Sequence, residues 1–162
     1  MSKHKSLYIL WVLPTTLLGV FIFLLGGGVP IKIKYGVLWW RVEWGLLKKF
    51  WAPKYSGMTI GHCVILVDEK ELDILVSKII AHESIHVYQD EKWGPTLKIP
   101  YLIASVIAVI KGKHYYYGNV FEEEAYSLQG EFANRAAMIL EASENVDIPD
   151  LFRRLKREGV FR

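Results

Sequence analysis

Five consecutive residues of this chain, His82-Glu83-Ser84-Ile85-His86, have the types and spacing of a metal-dependent hydrolytic site. Side chains four apart on an α-helix differ in direction by about 40°, so both imidazoles leave one face and can grip a Zn²⁺ at about 2.0–2.1 Å. Glu83 lies roughly 60° round the helix from His86. It flanks the metal instead of binding it, where a carboxylate can take a proton from a water that the metal activates. At this content of histidine and glutamate, about 0.01 such pentads are expected by chance.

A tetrahedral catalytic zinc needs a third protein ligand. After His86 the next histidine is His114, and no H-x-x-G-x-x-H continuation follows, which excludes a metzincin. The supply is the run Glu122-Glu123-Glu124. Successive residues of a helix point about 100° apart, so Glu122 and Glu124 cannot both reach one ion. Direction alone leaves open which carboxylate closes the site.

These residues have to be positioned by helices. The pentad falls in a predicted helix over residues 69–92, with Asp68 as N-cap, Glu71 completing a capping box, Val67 and Leu72 as the hydrophobic staple, and Gly94-Pro95 as the stop. Leu75 and Ile79 extend the pentad's stripe towards the N-terminus. Ahead of it, residues 59–67 are rich in β-branched types and read as one strand, on which His62 and Cys63 are small, mostly buried positions. Residues 99–110 form an apolar stretch too short to span a bilayer, which predicts a buried or interfacial helix. Residues 111–118 read as a loop. Asn119 caps a further helix over 120–142, and a short basic amphipathic helix follows Pro149. The fold class is therefore mainly α (α+β), with one or two short strands.

Composition narrows the setting. A chain of 162 residues with one cysteine, Cys63, has no internal disulfide framework and no Cys-rich zinc module. A net charge of +3, with basic residues scattered among tryptophans, excludes a nucleic-acid partner. The mean hydropathy is positive and there are six tryptophans. Residues 7–25 are uncharged and follow Lys3 and Lys5; as a helix they would cover about 28 Å, close to the hydrocarbon thickness of a bilayer. The expected organisation is a membrane anchor over 1–30, a Trp/Lys-rich interfacial linker over 31–57 and the catalytic domain over 58–162. In the linker, Trp39, Trp40, Trp44 and Trp51 suit either a membrane–water boundary or an ordinary core. Membrane lipid is thus an expected partner through a single N-terminal anchor, and charge does not decide which side of the membrane holds the body.

HESIHVYQ, followed some thirty residues later by GNVFEEEAY, resembles the gluzincin branch of the zincin metallopeptidases. It is most similar to small bacterial and phage-encoded proteins with an H-E-x-x-H-V-x-Q helix and a later N-x-F-E-x-E-A helix. The E-x-x-A spacing is also similar to that of the CAAX prenyl proteases. The resemblance implies a minimal zincin-like domain in which Zn²⁺ is held by His82, His86 and Glu122, with Glu83 as general base, hydrolysing a peptide or protein substrate. Ala125, one turn after Glu122, would allow close approach of the two helices. Those proteases usually carry an aspartate after this alanine, supporting the first histidine; here Tyr126 stands in its place. The rival reading is a membrane- or virion-associated structural protein with a non-catalytic zinc site.

Overall fold

The computed structural model describes residues 3–34, 36–72, 77–142 and 146–161. The chain forms helix α1 (Lys3–Gly26), strands β1 (Gly28–Lys34) and β2 (Val37–Val42), a π-helical turn (Leu47–Trp51), strands β3 (Gly57–Ile60) and β4 (Cys63–Leu66), and a 3₁₀ turn (Glu69–Leu72). Helices α2 (Lys78–Trp93), α3 (Lys98–Ile110), α4 (Val120–Ala142) and α5 (Ile148–Arg157) follow. The architecture is α+β. The strands make one sheet of order β1-β2-β4-β3, in which β2 and β4 run parallel and the other neighbours antiparallel.

Alternation along the strands builds two cores. Val37, Trp39, Val64 and Leu66 face α2, α4 and α5, where they meet Ile80, Ile85, Phe132 and Phe152. Trp40, Val42, Cys63 and Ile65 face the other way, towards Phe23 of α1. The sheet is therefore the middle of three layers.

This layering corrects the expected organisation. Residues 31–57 are not a linker: β2 pairs with β4, and Trp39 and Trp40 are buried on opposite faces of the sheet, while Trp44 is exposed. Within the segment expected as a membrane anchor, α1 also packs on the sheet. Helix α1 is docked from Val12 to Phe23 through Val12, Thr15, Gly19 and Phe23. A Cβ at Gly19 would lie 2.6 Å from the Ile60 carbonyl oxygen, so glycine is what lets the helix touch the β3–β4 hairpin. Thr16 accepts a hydrogen bond from His62 N at its hydroxyl. Among the described residues α1 is also the one helix long and apolar enough to cross a membrane, over Tyr8–Gly26.

Two expected elements change their bounds. The strand over 59–67 is a hairpin, because Gly61 adopts φ +63° and turns the chain between β3 and β4. The helix of the pentad begins nine residues later than expected. Asp68 Oδ1 accepts from Lys70 N and closes a local turn there, which competes with a helical start. The cap is Ser77, whose Oγ accepts from Ile80 N at 3.1 Å. Leu75 lies outside the described residues. The other boundaries agree: Gly94 ends α2, Asn119 Oδ1 accepts from Phe121 N at the start of α4, and Pro149 sits in the first turn of α5. Replacing Ser77 by alanine should lower the unfolding free energy by about 1 kcal/mol in a denaturant titration, and more than Asp68→Ala does, because only Ser77 caps the site helix.

Candidate metal centre

The site is made where α2 packs against α4. His82 contacts Gln129 while Gln89 contacts Phe121, so the two helices run antiparallel. Buried Ala125, Ala133 and Ala136 lie on α4 in the core shared with Ile85 of α2. From this pairing His82, His86 and Glu122 converge. His82 Nε2 lies 3.1 Å from His86 Nε2, Glu122 Oε2 lies 3.3 Å from His82 Nε2, and Glu122 Oε1 lies 3.3 Å from His86 Nε2. Ligands about 2.0–2.1 Å from a tetrahedral centre are spaced about 3.3–3.4 Å apart. The group has the dimensions of a metal site, and its ligand atoms all lie within 4.8 Å of one another.

The other ring nitrogens decide the protonation. His82 Nδ1 lies 3.0 Å from Gln129 Oε1, and His86 Nδ1 lies 2.8 Å from Gln89 Oε1. The Gln89 amide is oriented by its own Nε2, which donates to the Phe121 carbonyl and to Glu124 Oε2. Its oxygen must therefore accept from His86 Nδ1–H, which leaves the Nε2 lone pair aimed at the centre. In the neutral tautomers two lone pairs and a carboxylate face one another. Glu122 Oε2 is buried without a hydrogen bond. Such a cluster calls for a cation.

Titration reflects the same demand. Burial opposes a charged His86, yet hydrogen bonding and charge from Glu122 overrule it and hold the imidazole up at about 9. Glu122 sits well below the usual carboxylate range, since burial pushes it up but His82, His86 and the Tyr101 hydroxyl outweigh that. Tyr101 donates to Glu122 Oε1 at 2.7 Å.

Glu83 is buried beside this group, and its Oε2 accepts from Thr59 Oγ1 at 2.7 Å. Gly57 makes this approach feasible, because a Cβ there would lie 2.5 Å from Glu83 Oε1. Two cavities, of about 350 and 250 Å³, meet across Glu83, Tyr55, Gly57 and Tyr116. The larger takes in His86, Glu122 and the length of β3, an edge strand of the sheet.

The remaining sequence candidates fall elsewhere. Glu124 is no ligand: it pairs with Lys156 and holds Gln89 in place. Glu123 pairs with Lys113 at the surface. His62 faces Glu91, and His114 accepts from Tyr116 N and Tyr117 N within its own turn. Tyr126 sets its ring against His82, centroids 4.5 Å apart and planes tilted by 56°, and the hydrogen-bond partner of that histidine is Gln129 Oε1. Gln129, Tyr101 and Thr59 carry no role in the sequence reading, and Gln89 enters it only as the last residue of the HESIHVYQ motif. Gln89 had a signal, being one turn beyond His86; Tyr101 and Thr59 come from distant segments and had none.

Comparison with known proteins finds no matching family model, no matching curated protein and no matching solved structure.

Two outcomes follow from this geometry. Glu122→Ala should be nearly metal-free in a competitive chelator titration where Glu124→Ala stays loaded, the latter losing about 10–100-fold in affinity as a change behind the ligands does. Stability of the metal-free protein should depend on pH through His86. Its folded value of about 9 exceeds the ordinary 6.5, so its contribution is fully present below pH 6.5 and is lost as pH rises through 9. Urea midpoints in chelator should therefore fall over that window, whereas those of the metal-loaded protein, in which the ion replaces the proton, should not.

Proposed function

We propose that this chain is a membrane-associated zinc-dependent peptidase of the gluzincin type. The observation that carries the reading is a His82–His86–Glu122 donor set with a separate carboxylate, Glu83, set in a cleft beside an edge strand. Two imidazoles and one carboxylate suit Zn²⁺ in a catalytic arrangement, which keeps a place open for water. The ion bound there would supply Lewis-acid polarisation of that water and of the scissile carbonyl.

The chain's own residues do the rest. An extended substrate segment lies along β3, whose outer edge offers backbone groups for strand addition. Glu83 accepts a proton at its carboxylate and returns it to the leaving amine. Thr59, by donating to Oε2, orients that carboxylate. The Tyr116 hydroxyl borders the cleft and offers a donor for an oxyanion, whereas the one Tyr101 O–H is given to Glu122. A metal site that only joined two helices would have no use for Glu83. Membrane attachment rests on α1, whose span has a mean hydropathy of 2.3 and is only 22% buried, unlike a core helix.

Glu83→Gln should retain one zinc per chain by elemental analysis and lose about 10²–10⁴-fold in peptide hydrolysis, since an amide keeps the shape and cannot take the proton. A wild-type protein that holds zinc but cleaves none of a varied set of peptides would establish the structural role instead.

A further inference from the structure

Helix α3, expected from the sequence to be buried or interfacial, is mostly exposed. It docks through a narrow stripe of small and polar residues: Ala104 and Ala108 are buried, and Asn119 of α4 donates to Tyr101 O and to Ser105 Oγ. Almost everything else on it is apolar and exposed, including Leu102, Ile103, Val106, Val109 and Ile110. No charged residue occurs over 99–110. Helix α1 has the same character, docked on one stripe and exposing Leu10, Leu17, Phe21 and Leu25.

Lipid is the occupant that fits. A protein partner covers one stripe of a helix, whereas these helices are apolar round all of the circumference that their own stripe leaves. Close packing through small residues with hydrogen bonds across is how helices associate when lipid surrounds them. The ends of α3 carry Lys98 on one side and Lys111, Lys113, Tyr115 and Tyr117 on the other, the amines and rings that settle among headgroups. At 1.5 Å per residue α3 is about 20 Å long, too short to cross a bilayer.

The same helix is a wall of the active-site cleft. Leu97, Lys98 and Tyr101 line it, and the Tyr101 hydroxyl reaches Glu122. We propose that α3 is immersed in one leaflet beside α1, so that the cleft opens at the membrane–water boundary and the substrate is a polypeptide itself held in the membrane, cleaved in the extended segment next to its anchor. The substrate class rests on the peptidase reading above; the immersion of α3 does not.

The experiment therefore has two arms on the full chain. In the first, Ile103→Cys is labelled with an environment-sensitive fluorophore and mixed with phosphatidylcholine vesicles carrying brominated acyl chains. Cys63 is buried and its thiol is pushed up to about 11 by burial, so the label goes to position 103. A blue shift with quenching is expected. Absence of quenching, or a label shielded only by concentration-dependent self-association, overturns the proposal whatever the enzyme does. In the second, zinc-loaded protein in vesicles meets one cleavable sequence in two forms, soluble and palmitoylated. Confinement raises the effective concentration, so the anchored form should be cleaved about 10²-fold faster. An Ile103→Lys, Val106→Lys double variant should lose that advantage while cleaving the soluble peptide in detergent at the wild-type rate. An anchored peptide cleaved no faster than the soluble one overturns the substrate assignment. Quenching without cleavage of any peptide overturns the peptidase reading and leaves the immersion of α3 standing.

Discussion

Two imidazole lone pairs and a carboxylate, pressed to within 3.3 Å of one another inside the protein, are the constraint to which the surrounding structure answers. Left to themselves these groups would separate or take up protons. They are held by the burial of apolar surface between α2, α4 and the sheet, where alanines at 125, 133 and 136 let the helices come close. Packing thus does electrostatic work, and the result is a preformed place for a positive charge.

The residues behind the ligands are chosen with that charge balance in mind. Both histidines are oriented by neutral amides, Gln89 and Gln129. A carboxylate in either place would fix the same tautomer but add negative charge to a pocket that already contains Glu122 and Glu83. The full charge sits one bond further out, on Glu124, where Lys156 of α5 meets it. In this way α5 bears on the orientation of His86 through Lys156, Glu124 and Gln89.

The sheet separates two different surroundings. One face carries the helices that build the site; the other carries α1, whose inner stripe completes a core with Trp40 and Ile65 and whose outer face is apolar and exposed. Helix α1 is thus a structural layer as well as a helix long and apolar enough to cross a membrane. Any membrane that α1 enters must also lie close to the β3–β4 hairpin on which it docks.

The sequence by itself determined what depends on neighbours a few residues apart. The i, i+4 spacing of His82 and His86, the placement of Glu83 between them, the cap at Asn119 and the stop at Gly94 are all local, and each stands as expected. Counting 100° steps also established that Glu122 and Glu124 cannot both reach one ion, while the choice of Glu122, implied by the resemblance, agrees with the His82–His86–Glu122 group. What needed the tertiary structure was everything decided by contact between distant segments. Whether Trp39 and Trp40 face lipid or core depends on β2 pairing with β4, across more than twenty residues. Whether Asp68 or Ser77 caps the site helix depends on a local turn winning over a helical start, a contest between two nearly equal hydrogen-bonding options. Tyr101 and Thr59 reach the site only because α3 and β3 fold back onto it, and amphipathic patterns record that a face is covered without recording by what.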